Sequence, residues 1–400
     1  MYLARFQPSS LPAVLALTAV CSGLCPRPAG AVSIRPGASV EETLQLEDES
    51  YREGKKLKGV GSLVWTDWGI GVAGSGTVTY LGPTQDGRSG LLLTAAAVAI
   101  GEPGKHPSGR KYDIRFGHRV GEDADYLSLP VTRIIVHPDY GWTPKHPIML
   151  PDGKIVPFHQ LHHDLALVEF DLAACGKLLQ KRGIKPLSLF DDEGHRNPEP
   201  REAQIAGFGH FGLADGGQWE AQHKIHLGSS WVTYGSWYDL PGFRIWAPLK
   251  ERKAGAADWG KEFQIDFESK ESGFSADDDQ APVKFLIHPR QAFPTTGDGG
   301  APLLFRASDG ELKVAGVFCH VISQFMVSQA TGQVVEVLNQ FFEAVPDHLD
   351  WVRSVMAGKL GKSIVVTPGE KAERDEGKAA GGVERKTETK SDKTGTQASA

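Results

Sequence analysis

Short apolar and β-branched runs, closely repeated and separated by glycine, constrain the fold of this chain more than any other feature. The clearest runs are residues 60–65, 74–81, 91–95, 131–136, 165–170, 204–209, 303–305 and 314–318. Gly, Pro and Asp residues bound them, a pattern typical of antiparallel strands in a barrel or a sandwich. No sustained helical period competes with these runs. We therefore predict an all-β body.

One helix is predicted to close this body. Leu349, Val352 and Met356 recur at helical spacing, and Asp347 stands before them as a candidate N-cap.

The two ends of the chain have a different composition. Arg5 precedes an apolar run at 11–20, and small residues follow at 29–31, which predicts a signal peptide over residues 1–31. A membrane anchor is the alternative, but the run is shorter than the roughly 20 residues of a spanning helix. We expect a secreted or periplasmic protein with no membrane association after signal removal.

Polar segments flank the predicted body on both sides. Residues 32–58 are rich in charge and predict a polar lead-in or linker, whereas residues 361–400 contain almost nothing apolar. Such a composition cannot bury a core, so we predict that 361–400 are disordered.

Charge and cysteine content exclude two classes of protein. The net charge of -6 provides no basic face for nucleic acid. Cys21 and Cys25 would leave with the signal peptide, and Cys175 and Cys319 would remain. Two cysteines make at most one bridge, so a cystine-rich module is excluded, and whether this pair joins stays open.

A series of short motifs over residues 59 to about 356 occurs in one characteristic order. The motifs are Gly-Ser-Gly at 74–76, Leu-Thr-Ala-Ala-Ala-Val at 93–98, Val-His-Pro-Asp-Tyr at 136–140, Asp-Leu-Ala-Leu at 164–167, Gly-Phe-Gly at 207–209, Gly-Asp-Gly-Gly-Ala-Pro-Leu at 297–303, Gly-Val-Phe-Cys-His at 316–320 and Leu-Asp-Trp-Val at 349–352. Together they resemble the trypsin-like (chymotrypsin-fold) serine proteases.

This resemblance implies two six-stranded antiparallel β-barrels and a C-terminal helix. The protease-like domain would span 59–358, with barrels at about 59–195 and 196–340. Ala97 stands where the family has its catalytic histidine, Asp164 where it has its aspartate, and Gly299 where it has its serine. The backbone N–H groups of Gly297 and Gly299 match the oxyanion donors of the family.

The chemistry of such an enzyme needs a hydroxyl nucleophile, an imidazole base and an orienting carboxylate. Ala97 has no proton acceptor and Gly299 has no oxygen. We therefore predict a non-catalytic serine protease homologue that acts in protein binding or regulation. The alternative is an active serine-type endopeptidase with a displaced nucleophile, for which Thr295 and Thr296 are the nearest hydroxyls. A pure scaffold is a third possibility.

Two aspartates lose the partners that the family provides. A buried carboxylate needs a donor, so we predict that a backbone N–H near Ala97 or an ordered water replaces the imidazole at Asp164. The family counterpart of Asp298 pairs with an amino terminus released by cleavage. Residues 58–61 depart from the sequence at that cleavage site, so the resemblance does not extend to activation by cleavage.

The resemblance also places three residues in the substrate pocket. Phe293 stands at the pocket floor, where an aromatic ring would exclude a basic side chain. Cys319 and His320 stand on the cleft wall, and we expect His320 only to line it. His137, in the His-Pro-Asp-Tyr turn, is expected to be structural.

No metal or cofactor is predicted. Residues 159–164 are rich in histidine, but His162 and His163 would point to opposite sides of an extended chain. The acidic run at 277–279 lacks the spacing of a calcium loop and is interpreted as a solvated loop. A protein or peptide partner is expected in the cleft between the barrels or on the long loops 141–162 and 210–290.

Overall fold

Two eight-stranded antiparallel sheets form the body of the protein in the computed structural model. The structure describes residues 17–19, 33–34, 40–67, 72–104, 110–120, 125–143, 145–149, 155–196, 200–209, 212–213, 224–240, 243–248, 258–267, 292–294, 297–327 and 334–368.

The chain contains the following strands and helices. The strands are β1 (Leu17–Ala19), β2 (Ser33–Ile34), β3 (Val60–Asp67), β4 (Val72–Pro83), β5 (Ser89–Thr94), β6 (Arg110–Phe116), β7 (Leu127–Pro130), β8 (Arg133–Val136), β9 (Gly141–Trp142), β10 (His146–Met149), β11 (Ile155–Phe158), β12 (Leu161–His162), β13 (Ala166–Asp171), β14 (Arg201–Gly207), β15 (Gly212–Leu213), β16 (His226–Leu240), β17 (Phe243–Pro248), β18 (Asp258–Phe267), β19 (Ala292–Phe293), β20 (Pro302–Arg306), β21 (Leu312–Val327), β22 (Val334–Ala344) and β23 (Ile364–Val366). The helices are α1 (Val40–Gly54), α2 (Ala96–Ile100), α3 (Leu172–Arg182) and α4 (Leu349–Met356), with short 3-10 turns at Glu193–Arg196 and Val345–His348.

The second sheet is a closed barrel. Hydrogen-bonded antiparallel pairs run from β21 through β20, β14, β16, β18 and β22, and β22 pairs with β21 again. The ring therefore has six strands and no open edge, which removes the usual site of edge-to-edge association.

The first sheet curves back on itself through a bend in the chain. Its order is β8-β13-β5-β4-β3-β6-β7, with β23 added on the other side of β8. Only Val131 and Thr132 separate β7 from β8, and the Thr132 N–H donates to Glu169 O on β13. Because β7 continues into β8, the sheet bends into a half-barrel beside the closed barrel, and the predicted fold class is confirmed.

Alternation along β5 divides the apolar side chains between two cores. Leu92 packs inside the first barrel, whereas Leu91 and Leu93 face the second barrel. There they meet Leu304 and Val317 in a layer that α4 also covers. A third cluster, which includes Phe263 and Phe342, fills the second barrel.

The closing helix is present at the predicted position, but its predicted cap is wrong. His348 rather than Asp347 precedes the first turn of α4, and no side chain caps the helix. The Asp347 carboxylate instead accepts a 2.5 Å hydrogen bond from the Tyr234 hydroxyl of the second barrel.

The polar lead-in contains a regular element that the sequence analysis did not predict. Residues 40–54 form α1, and the Ser50 hydroxyl donates to Leu227 O and accepts from Leu227 N. The Cβ of a larger residue at Gly54 would lie 2.9 Å from Ile225 O, so the glycine lets the helix approach the barrel closely.

Three further differences concern segments predicted as loops or tail. Residues 210–290 contain β15 to β18, because 231–234 and 263–265 continue the β-branched and aromatic pattern. Residues 141–162 contain β9 to β12. Residues 361–368 are also ordered around β23, and the remainder of the predicted disordered tail lies outside the described residues. The predicted signal peptide also lies outside the described residues, except for β1, which pairs with β21.

Candidate functional site

The three triad positions lie together between the barrels. β5 and β13 pair with Thr94 opposite Ala166, so the chain just beyond β5 meets the chain just before β13. There the backbone N–H of Ala97 donates a 2.7 Å hydrogen bond to Asp164 Oδ1. The predicted backbone donor for Asp164 is therefore confirmed.

Gly299 comes from the second barrel. Its carbonyl oxygen accepts a 2.8 Å hydrogen bond from the Thr77 N–H on β4, which holds the glycine-rich turn against the first barrel. Val98, one residue beyond Ala97, lies against it, since a Cβ at position 299 would be 2.6 Å from Val98 Cγ2.

Val98 occupies the space that a nucleophile would need. A Cβ at Gly76 would also lie only 2.3 Å from Val98 Cγ1, so the valine is enclosed by two glycines. Neither Ala97 nor Gly299 supplies a proton acceptor or an oxygen to this space. Thr295 and Thr296, the hydroxyls considered as substitutes, lie outside the described residues.

The Asp164 carboxyl is buried with one oxygen unsatisfied. Burial raises the pKa of Asp164 to about 7, and the charge of Glu343 raises it further, against the lowering by the Ala97 N–H. Oδ2 has no hydrogen-bond partner among the described residues. The Asp164 carboxyl is thus held by a backbone donor at Oδ1, while Oδ2 accepts no hydrogen bond from the described residues.

Asp298 is satisfied within the folded chain. The Gly209 N–H donates a 2.9 Å hydrogen bond to Asp298 Oδ1, and the side chain is fully buried. A Cβ at Gly207 would lie 1.8 Å from the same oxygen, so the glycine of the Gly-Phe-Gly motif makes room for the carboxylate.

Left-handed backbone explains two other glycines of the turn. Gly297 has φ 96° and Gly300 has φ 83°, values that L side chains rarely adopt. A Cβ at Gly300 would also lie 2.4 Å from Thr77 O. The turn therefore keeps its shape without any catalytic side chain.

Two further buried carboxylates lie beside this site. Glu262 on β18 and Glu343 on β22 are direct cross-strand partners and are 2% and 1% exposed. The Asp164 N–H donates to Glu343 Oε2 at 3.2 Å. Sequence reasoning missed both, although Glu343 interrupts the apolar run Phe-Phe-Glu-Ala-Val; Glu262 follows Lys261 and gives no such signal.

A chain of histidines connects to Glu343. The Asp139 N–H donates to His137 Nδ1 at 3.2 Å, so a neutral His137 carries its proton on Nε2, 3.3 Å from His348 Nδ1. His348 then carries its proton on Nε2 and donates to Glu343 Oε1 at 2.8 Å. Burial lowers the pKa of His137 to about 4, which is consistent with a neutral imidazole.

The histidine-rich segment 159–164 does not gather as one cluster. Only His163 reaches the buried histidines, with its ring stacked on His137 at a centroid distance of 5.0 Å. His159 lies against Trp142 instead. The run at 277–279 lies outside the described residues.

The structure describes the side chains of only two of the three predicted pocket residues. The backbone of Phe293 pairs with Ser33, and its side chain lies outside the described residues. Cys319 and His320 stand on β21 beside Glu262. Burial raises the pKa of the Cys319 thiol well above its usual value, as do the nearby Glu262 and Asp164 charges. Cys319 and Cys175 are both free thiols.

Comparisons with known proteins find similarity only among solved structures. No family model matches the sequence, and no curated protein matches it. The chain is similar to GrC (TM-score 0.37, 15% identity, 76% of this chain and 96% of that one) and to HL collagenase (0.39, 16%, 75% and 93%). It is also similar to the active form of the Rv3671c protease from M. tuberculosis (0.37, 11%, 90% and 98%). The fold assignment above rests on the strand pairing of this chain itself.

Proposed function

We propose that this chain is a non-catalytic protein on a protease-like fold, which acts by binding a protein or peptide partner. The observation that carries the proposal is the bond from the Ala97 N–H to Asp164, with Val98 packed against Gly299. Where a trypsin-like enzyme has its base and nucleophile, this chain has a methyl group and a hydrogen atom.

The rate of peptide hydrolysis expected from the remaining groups is low. When triad members are missing, oxyanion donors and substrate binding retain only about 10³- to 10⁴-fold acceleration over water. Asp164 supplies a carboxylate but neither an imidazole base nor a hydroxyl nucleophile, so it cannot replace the missing groups. Peptide hydrolysis at a useful rate is therefore not expected.

Export is part of the proposal and rests on the sequence. The charged residue, apolar run and small residues at 1–31 fit a cleavable signal. Among the described residues, no helix is both long and apolar enough to cross a membrane.

Two ribbons beside the barrels are the proposed contact surfaces. β10 and β11 pair over 146–149 and 155–158, and β16 continues beyond its pairing with β14 to form a ribbon with β17. Extensions on a rigid scaffold are common sites of recognition, and both lie in the segments predicted to carry the partner site.

The first experiment asks whether the protein is an enzyme. The purified protein is treated with a fluorophosphonate probe and assayed against a broad peptide library. We expect neither labelling nor cleavage. Covalent labelling that maps to Thr295 or Thr296 would overturn the non-catalytic assignment in favour of a displaced nucleophile.

The second experiment asks whether the β10–β11 ribbon binds the partner. Replacing 146–158 by a short glycine linker keeps the β9–β12 pairing of Gly141 with His162. We expect loss of partner capture from the protein's native extracellular fluid. The control is Lys177→Glu with Lys181→Glu on the exposed side of α3, which should not affect capture.

A further inference from the structure

Two adjacent residues of β21 lie on the same face of the strand. Neighbours in a strand normally point to opposite faces. Here Phe318 pairs with Phe342 and His320 with Phe341, so Cys319 is an extra residue in the ladder, a β-bulge. The Cys319 thiol accordingly donates to Phe341 O at 3.1 Å, and the His320 ring stacks on Phe341.

Glu262 completes a group of three side chains with the thiol and the imidazole. Its Oε1 lies 3.9 Å from Cys319 Sγ, and its Oε2 lies 3.8 Å from His320 Nε2. One carboxylate therefore lies between a sulfur and a nitrogen, and the three ligand atoms all fall within 4.8 Å of one another.

The surroundings of this group favour a cation. Glu262 is 2% exposed and stands directly opposite Glu343, so negative charge accumulates away from water. Both ring nitrogens of His320 are buried with no hydrogen-bond partner among the described residues, although 16% of the side chain is exposed. Unsatisfied buried polar atoms are costly, so a ligand that binds a ring nitrogen of His320 would be favoured.

We propose that Glu262, Cys319 and His320 bind a divalent transition-metal ion, with zinc as the best match to the ligands. Cysteine sulfur, histidine nitrogen and carboxylate oxygen are the ligand atoms zinc takes in proteins. The sulfur binds as thiolate, so the thiol proton passes to solvent when the ion enters. Three protein ligands leave the fourth tetrahedral position to water.

The distances are compatible with this assignment. Zinc bond lengths and tetrahedral angles place a sulfur and an oxygen ligand roughly 3.5 Å apart, and a nitrogen and an oxygen roughly 3.4 Å apart. The two observed distances end on different oxygens of Glu262, so binding through one oxygen requires the Glu262 carboxylate to rotate as well as small movements of Cys319 and His320. The site does not depend on the proposed binding function.

A second group of metal-ligand side chains fits an ion less well. His137, His163 and His348 also lie within reach of one ion. However, His137 Nδ1 accepts the Asp139 N–H, and the two nitrogens of His348 bond to His137 and Glu343. An ion there would have to displace this chain of hydrogen bonds, whereas His320 has none to displace.

The test uses cobalt as a spectroscopic substitute for zinc. Co²⁺ is added to the full chain carrying Cys21→Ser and Cys25→Ser, so that Cys175 and Cys319 are the only thiols. We expect a thiolate-to-cobalt charge-transfer band and tetrahedral bands at one ion per chain, with loss of both on adding Zn²⁺. Cys319→Ser should abolish the charge-transfer band, and Cys175→Ser should preserve it.

The same spectra decide against the proposal in three ways. No charge-transfer band would overturn it, as would a band that depends on Cys175. Tetrahedral bands without charge transfer, lost in His348→Gln, would assign the ion to the histidines. The spectrum of the chain with Cys319 intact is decisive even if Cys319→Ser fails to fold. Glu262→Gln and His320→Gln should each weaken Co²⁺ binding beyond the roughly 10- to 100-fold typical of outer-shell changes.

Discussion

The backbone N–H of Ala97 and the carboxylate of Asp164 form a 2.7 Å hydrogen bond where an enzyme of this fold would hold its histidine. The bond occupies only Oδ1, and Oδ2 has no hydrogen-bond partner among the described residues. The carboxylate is thus held in place and could still accept a bond from an imidazole. In the proposed non-catalytic protein, the missing side chains and Val98, rather than Asp164, would account for the lack of activity.

Restoring the triad should require three substitutions. We expect Ala97→His with Gly299→Ser to show no fluorophosphonate labelling, because the new Cβ at 299 would lie 2.6 Å from Val98 Cγ2. Adding Val98→Ala should permit labelling at residue 299. The matched control is the triple variant with Asp164→Asn, which should label far more weakly. Equal labelling of double and triple variants would contradict the steric argument.

The contact between Val98 and Gly299 should also appear in stability. Gly299→Ala overpacks the site and should cost about 1–3 kcal/mol. In the Val98→Ala background this cost should largely vanish, giving a coupling of about 0.5–3 kcal/mol in a double-mutant cycle by urea unfolding. Gly176→Ala in α3, where the nearest atom is 3.7 Å away, should be additive with Val98→Ala. Additivity at position 299 would count against the packing.

Asp164 should make the protein less stable as pH rises. Its folded pKa of about 7 exceeds the unfolded value of about 3.9, so the folded state binds more protons between these limits. The free energy of unfolding then falls as pH rises from about 4 to about 7. Asp164→Asn removes this contribution. The free energy of unfolding of the variant, relative to that of the native chain, should therefore increase from pH 4.5 to pH 8.

His226 should make the protein less stable as pH falls. Burial lowers its pKa to about 3, with the charge of Lys224 contributing, against about 6.5 when unfolded. The unfolded chain therefore binds more protons between pH 3 and 6.5, and acidification through this range destabilises the fold by at most about 1.4 kcal/mol per pH unit. His226→Gln should unfold with a shallower dependence on acid in urea titrations. An unchanged slope would argue against a neutral buried imidazole.

The His348–Glu343 hydrogen bond should stabilise the fold more than an exposed ion pair on the adjoining helix α4. His348→Phe removes the donor from a carboxylate that is 1% exposed, and leaving a buried acceptor without its donor typically costs about 1–3 kcal/mol, or more for a charged acceptor. Arg353, about one turn further along, pairs with Asp191 at the surface. Arg353→Ala should therefore cost less than about 1 kcal/mol. Similar costs for the two variants, by urea unfolding, would refute the role of the buried bond.

Local patterns made the barrels predictable. β3, β5, β13 and β20 were found because β-branched and apolar residues cluster between turn residues. α3 was missed, although Asp171 caps it by accepting the Ala174 N–H and Gly183 ends it in a left-handed conformation. Those two flanking residues were the available signal. α1 is polar, and only its contacts with the barrel beside it distinguish it from a linker.

Sequence motifs predicted only part of the site. Ala97, Asp164 and Gly299 follow from their place in the motif order, and the backbone donor follows from the cost of burying Asp164. The opposition of Glu262 and Glu343 depends on the register between β18 and β22, which lie far apart in sequence. No local sequence pattern determines that register, and none predicts the β-bulge at Cys319.

The carboxylate of Asp298 bears on how the protein reaches its working form. In trypsin-like proteases the aspartate at this position waits for an amino terminus that cleavage of the chain releases. Here the Gly209 N–H already bonds it, and the glycine-rich turn is in place once the chain has folded. We therefore expect the turn to reach its final form without any cleavage of the chain.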